Sequence, residues 1–190
     1  MPVMVKALGY YSHKSPKGIT KVKQHLKYLE YGKQHEREPE GFTDRDQPLS
    51  RNEFMERVRE QPERGVIAHK LVFSLSQEER DRGGIDMREL VQETMAQWSQ
   101  SLGRPLRWIG FEHEDRGHPH VHVVVAGYAE GKQVNIFERD IRQLREWSER
   151  EKTRQVERSL PEREQPSLVR EIERLFRGVM ERDREHDRGR

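Results

Sequence analysis

The sequence has no cysteine. This excludes disulfide staples, thiolate metal sites and cysteine nucleophiles together, so any metal has to be held by histidine and carboxylate. No apolar run approaches the ~20 residues that span a bilayer, and the start, Met1-Pro2-Val3-Met4-Val5-Lys6, lacks the apolar stretch of a secretory signal. The expectation is a cytoplasmic protein with no membrane insertion. Apolar and aromatic residues are scarce, at 32% and 7% of 190 residues against 37% charged, and the mean hydropathy is −1.11. A core is possible only if the apolar residues are concentrated in a few elements. The length suits one medium-sized domain, or one domain with a short appendage.

Net charge is also nearly absent: 36 basic side chains against 34 acidic ones leave +2. The distribution is more informative. Residues 1–27 carry Lys6, Lys14, Lys17, Lys21, Lys23 and Lys27 and no Asp or Glu. From Phe137 onward Arg and Glu alternate and nearly cancel, the pattern of solvated helix faces with ion pairs at i,i+4. A uniformly basic nucleic-acid coat is therefore not present, whereas a local basic patch is.

Hydrophobic periodicity predicts a strand over residues 3–11, a loop over 12–18 and a helix over 19–32 with Val22, Leu26 and Leu29 on one face. Residues 33–64, with three prolines and many charges around a short helical patch at 52–59, read as a mobile insertion or lid. A second strand follows over 66–76. The clearest helix covers 85–102, where Met87, Leu90, Val91, Thr94, Met95, Trp98 and Leu102 form a stripe. Strands over 106–113 and 120–127 flank the polar turn Glu114-Asp115-Arg116-Gly117 and predict an antiparallel hairpin. Phe137, Ile141, Leu144 and Trp147 then mark one amphipathic face, and Leu168, Ile172, Leu175, Phe176, Val179 and Met180 mark another. The order predicts an α+β fold: a central antiparallel sheet with helices packed on one face, residues 1–150 forming the domain and 151–190 a charged helical extension. The last stripe either packs back on the domain or docks an accessory protein or a second copy.

The chemistry is concentrated in residues 111–125. Side chains at i and i+2 of a strand share a face, so His120 and His122 project together while Val121, Val123 and Val125 point into the core. If the hairpin closes, His113 arrives from the neighbouring strand. Three neutral imidazoles leave coordination positions open for a substrate oxygen, as a catalytic metal requires, and Asp115 is placed to accept a ligand's second ring N–H. A lone His-x-His on a strand fits surface decoration equally well. Four histidines within ten residues, beside an Asp and an aliphatic back face, make chance clustering the weaker account, and His118, just before Pro119, is not required as a ligand.

These residues resemble the third motif of conjugative relaxases, the HUH-type endonucleases that nick plasmid DNA at an origin of transfer, and most closely the MOB-P branch that includes the T-DNA border nickase. That pattern, His-x-Asp followed by His-Pro-His-x-His and aliphatics, is met by His113, Asp115, His118, Pro119, His120, His122 and Val123, Val124 and Val125. The run Lys70-Leu71-Val72-Phe73-Ser74-Leu75 looks like the second motif, and residues 140–147 look like the helix after the metal strand. The resemblance spans about residues 3–150; Ala126 departs from it, where these relaxases often carry Asn.

The resemblance implies a nucleophilic tyrosine upstream of the histidines. Tyr28, beside Leu29 and ahead of Gly32-Lys33, matches best, with Tyr31 in reserve; a tyrosine at helical spacing also fits a core-edge residue whose hydroxyl meets water. Tyr10 and Tyr11 belong with the first strand. Also implied are a divalent metal (Mg2+ or Mn2+) on His113, His120 and His122, a catalytic role for Asp115, and single-stranded origin-of-transfer DNA as substrate, nicked through a 5′-phosphotyrosine. Lys17, Lys21, Lys23 and Lys27 are the candidate DNA-binding residues, although a solvated face accounts for them too. Relaxosome accessory proteins and a type IV secretion coupling protein are the further partners implied. Two alternatives remain: a rolling-circle replication initiator, in which a tyrosine after the metal strand such as Tyr128 would matter, and a non-catalytic DNA-binding module on the same fold.

Overall fold

The computed structural model describes residues 2–31, 41–44, 49–115 and 118–160, with the backbone alone at Asp115. Its strands stand where apolar density and alternation predict them: β1 (Met4–Ser12), β2 (Val66–Ser74), β3 (Trp108–Asp115) and β4 (His118–Ala126). They form one antiparallel sheet in the order β1-β2-β4-β3. The predicted hairpin is β3 with β4, closing with Asp115 opposite His118 and ending with Trp108 opposite Val125. Helices α1 (Gly18–Tyr31) and α2 (Arg51–Arg59) precede β2, and α3 (Gln77–Gly83) and α4 (Met87–Ser101) follow it. A two-stranded ribbon, β5 (Tyr128–Ala129) with β6 (Lys132–Gln133), then leads to α5 (Glu138–Ser159).

Alternation divides the side chains between two cores. On one face Leu71, Phe73, Trp108, Val121, Val123 and Val125 pack with Leu90, Met95 and Trp98 of α4 and Leu144 of α5. On the other, Ala68, Ile109, Phe111, Val124 and Ala126 pack with Val22, Leu26 and Leu29 of α1 and Phe54, Met55 and Val58 of α2. The α+β class and the antiparallel sheet are as expected, but the expectation of helices on one face only is corrected. With α4 and α5 filling the first face, the apolar stripe of α1 has to be buried on the second. Phe137, expected on the apolar face of the last helix, stands just before α5 and is 53% exposed.

The described part of residues 33–64 is not a lid over the surface. Phe42, Leu49, Phe54, Met55 and Val58 are all at most 5% exposed, and the Phe42 ring meets Trp108 edge-on at 5.8 Å. Phe42 also exchanges both backbone hydrogen bonds with Gly110, where a Cβ would come within 2.8 Å of the Phe42 ring. A capping box starts α2, with Glu53 N–H donating to Ser50 Oγ at 3.2 Å and Ser50 N–H donating to Glu53 Oε2 at 2.8 Å. Five apolar residues among many charges average to a polar segment, yet each is buried. The expectations for the stripe at 168–180 fall outside the described residues. No described helix is long and apolar enough to cross a membrane.

Candidate metal centre

Register brings the histidines together. His113 lies directly opposite His120, and His122, two residues on, shares that face. Ring centroids are 5.5 Å apart for His113 and His120, 5.3 Å for His113 and His122, and 5.0 Å for His120 and His122. One nitrogen from each ring lies within 4.8 Å of the others. His113 is buried, while His120 and His122 are half-buried, so the cluster is closed on the β3 side and open towards β2.

Two of the rings are fixed from behind. His113 Nε2–H donates to the Leu29 carbonyl at 2.8 Å, and His120 Nδ1–H donates to the His118 carbonyl at 2.9 Å. A carbonyl only accepts, so these bonds set the tautomers and leave Nδ1 of His113 and Nε2 of His120 with their lone pairs. Leu29 lies in the last turn of α1, where carbonyls have no partner within the helix, and the negative end of the helix dipole there favours a cation nearby. Three imidazoles, two of them oriented by main-chain carbonyls, fit a divalent cation with positions left open. His118 takes part through its backbone while its side chain is exposed. The Asp115 backbone lies opposite His118; its side chain is outside the described residues.

The uncovered part of this sheet face leads from the β1 edge to the histidines in two rows. One runs Met4, Ser74, His120, and the next Lys6, Val72, His122, each ending on β3 at a buried residue, His113 and Phe111 respectively. Helix α1 crosses beside them, held at both ends. Its first residue, Gly18, lies so close to β1 and β2 that a Cβ would come within 2.6 Å of the Ser12 carbonyl and 2.5 Å of Ile67 Cδ1; its last turn bonds His113.

Helical phase separates the two candidate tyrosines. Lys21, His25 and Tyr28, at i, i+4 and i+7, lie on the flank of α1 facing β1 and β2, where the His25 ring is 5.9 Å from Tyr11. Tyr28 is 57% exposed there. Tyr31 turns towards α2, with the Arg51 guanidinium 5.5 Å over its ring, and lines a groove of about 680 Å³ with Thr20, Lys23, Gln24, Lys27 and Arg51. The lysines are thus divided: Lys21 is on the sheet flank, Lys23 and Lys27 are in the groove, and Lys17 is exposed before the helix with φ 59°. Tyr128 is buried, its hydroxyl donating to the Arg64 carbonyl at 3.0 Å. Tyr10 faces the opposite side of the sheet, 6.1 Å from His69.

Sequence reasoning missed Lys70 and His25. Lys70 Nζ stands 4.9 Å over the Tyr11 ring. Burial, and then the charge of Lys70, lower the His25 pKa from 6.5 to about 4. Strand parity was the available signal, since Lys70 and Val72 share a face and Val72 pairs with His122.

Comparison with known proteins bears on this arrangement. The family model "Relaxase: MobA/VirD2-like, nuclease domain" matches residues 28–155. The chain belongs to this family. It is a relaxase nuclease domain, a DNA-nicking enzyme by family, and the match takes in all three clustered histidines. Among solved structures, the relaxase resembles the MobM relaxase domain (MOBV; Mob_Pre) bound to 26-nucleotide pMV158 oriT DNA, with 13% identity, a TM-score of 0.52, and 81% of this chain and 87% of that chain covered. A Mn-bound crystal structure of the same domain at pH 5.5, with 22-nucleotide plasmid pMV158 oriT DNA, gives 12% identity, a TM-score of 0.51 and coverage of 81% and 86%. At such identities the likeness is one of fold. No curated protein sequence matches the chain.

Proposed function

We propose that this relaxase cuts single-stranded origin-of-transfer DNA by a site- and strand-specific, metal-dependent transesterification, with Tyr28 as nucleophile. One observation carries the reading. The helix whose final turn holds His113 also carries Tyr28, 57% exposed and on the same stripe as His25. The MobM structures contain oriT DNA, one of them with Mn, which supports DNA as partner and a divalent cation as cofactor here.

A divalent cation, Mg2+ or Mn2+, held by His113, His120 and His122 supplies, when bound, a Lewis acid for a non-bridging oxygen of the scissile phosphate. Tyr28 Oη attacks phosphorus; the Oη–P bond forms, the P–O3′ bond breaks, and the products are a 5′-phosphotyrosine and a free 3′-hydroxyl. The ester retains the bond energy, so the reverse attack by a 3′-hydroxyl rejoins a strand. A phenol with a pKa near ~10 has to lose its proton on attack; we assign its acceptance to the Asp115 carboxylate, and a proton is delivered to the departing 3′-oxygen. Lys17, Lys21, Lys23 and Lys27 hold phosphates of the strand, and exposed aromatic rings stack its bases. In plasmid mobilisation the cytoplasm is the place of action, and relaxosome accessory proteins and a type IV secretion coupling protein are the further partners. The buried, hydrogen-bonded Tyr128 does not favour the replication-initiator reading.

The test incubates the protein with pooled single-stranded oligonucleotides and manganese and looks for a denaturation-resistant adduct. Tyr28→Phe should abolish it, and peptide mapping should recover the nucleotide on Tyr28. Recovery on Tyr31 or Tyr128 would overturn the assignment of the nucleophile. Absence of any adduct with wild-type protein would overturn the enzymatic reading.

A further inference from the structure

Lys70 lies where the covered half of the sheet face meets the open half. In β2 it follows Ala68, which is buried under α1, and precedes Val72, which pairs with His122. Its ammonium rests on the Tyr11 ring at 4.9 Å. The Tyr11 ring in turn is 5.9 Å from the imidazole of His25, one turn before Tyr28 on the same flank of α1. Lys70 is half-buried, and among the described residues no carboxylate lies within ion-pair distance of it. This contrasts with Arg51 on the far side of the same helix, which pairs with Glu30 at 2.5 Å.

From this placement we propose that Lys70 is a phosphate-binding residue of the nicking site, its ammonium donating to a phosphodiester oxygen of the strand that lies between Tyr28 and His122. The proposal rests on the relaxase reading above and adds to it a residue on the sheet floor. A half-buried ammonium with no carboxylate in reach keeps donors to offer an anion, and the groups around this one are an aromatic face and an imidazole. The imidazole adds no competing charge, because burial and Lys70 itself keep His25 neutral near pH 7. A phosphodiester supplies the missing anion at the point the strand has to pass to reach both Tyr28 and the histidines. The Tyr11 ring holds the ammonium in place by a cation–π contact, so the donor is positioned before DNA arrives.

The experiment uses the full chain with Lys70→Met, which keeps the aliphatic stem on Tyr11, and Lys70→Arg, which keeps the charge. Binding of a fluorescent oligothymidylate is measured in EDTA against salt concentration, so that no cleavage enters. Loss of one phosphate contact should reduce the slope of log K against log salt by about 0.7 in Lys70→Met, and Lys70→Arg should restore it. With manganese and the oligonucleotide pool, adduct formation at saturating DNA should slow by about 10²-fold in Lys70→Met, with manganese affinity unchanged. An unchanged salt slope, or a Lys70→Arg variant as weak as Lys70→Met, would overturn the proposal. If wild-type protein forms no adduct, the nicking reading fails while the salt slope still decides the role of Lys70.

Discussion

His113 and His120 each have one ring nitrogen bonded to a main-chain carbonyl, at 2.8 and 2.9 Å, so their lone pairs are aimed before any ion is bound. Replacing His120 and His122 together with Ala should abolish manganese binding in calorimetry and adduct formation with it; unchanged affinity would move the metal elsewhere. His25 offers a test that involves no metal. Its folded pKa of about 4 lies below the 6.5 of the free side chain, so between these values the unfolded chain binds a proton that the folded one excludes. Stability is therefore complete above pH 6.5 and falls as pH drops towards 4, by about 2 kcal/mol once solvent screening of a partly open ring is allowed for. Urea midpoints on either side of that window should show the fall in the wild type and a flatter dependence in His25→Gln. The three histidines were legible because a strand has a period of two and the turn fixes the hairpin register. Tyr28 was preferred to Tyr31 on the resemblance alone, since three residues along a helix turn a side chain by only about 60° net and the sequence does not show which elements flank the stripe of Val22, Leu26 and Leu29.

Two elements depart most from what the sequence suggested, and for the same reason. The helix α2 itself stands within a residue of the patch read at 52–59, but it and the segment at 41–44 are buried pieces within a charged stretch, so composition read over a window points to a surface lid. What decides is the spacing of Phe54, Met55 and Val58, each at most 2% exposed, and a wall for them to meet, which only the second face of the sheet provides. Phe54→Ala should therefore cost about 3–5 kcal/mol in global unfolding by urea, within a single transition. An insertion lying over the surface would give little or no change. α3 and the β5–β6 ribbon carry too little periodicity to be read: α3 is seven residues, begun by the Ser76 cap and ended by Gly84 at φ 59°, and each strand of the ribbon is two residues. The helix α1, by contrast, was placed to within a residue at each end, because its apolar stripe and its flanking loop are both explicit.

At the scale of the molecule, one sheet separates two cores, and the groups proposed for metal, nucleophile and phosphate all project from the side of α1 and α2. All three histidines, Tyr28 and Lys70 fall within residues 2–160. We expect a chain ended after Leu160 to keep the manganese affinity of the full chain, measured by calorimetry; a large loss would show that the segment at 161–190 supports the site. The sheet order has a consequence of its own. β4 is central, with β2 on one side and β3 on the other, and it carries His120 and His122 towards one layer while Val121 and Val123 fill the opposite core at 0% exposure. A close-packed interior transmits small volume changes rather than absorbing them. We infer that the spacing of the imidazoles, and with it any preference of the proposed site among cations, is open to tuning from behind, by aliphatic residues such as Val121 and Val123 that pack on the far side of the sheet.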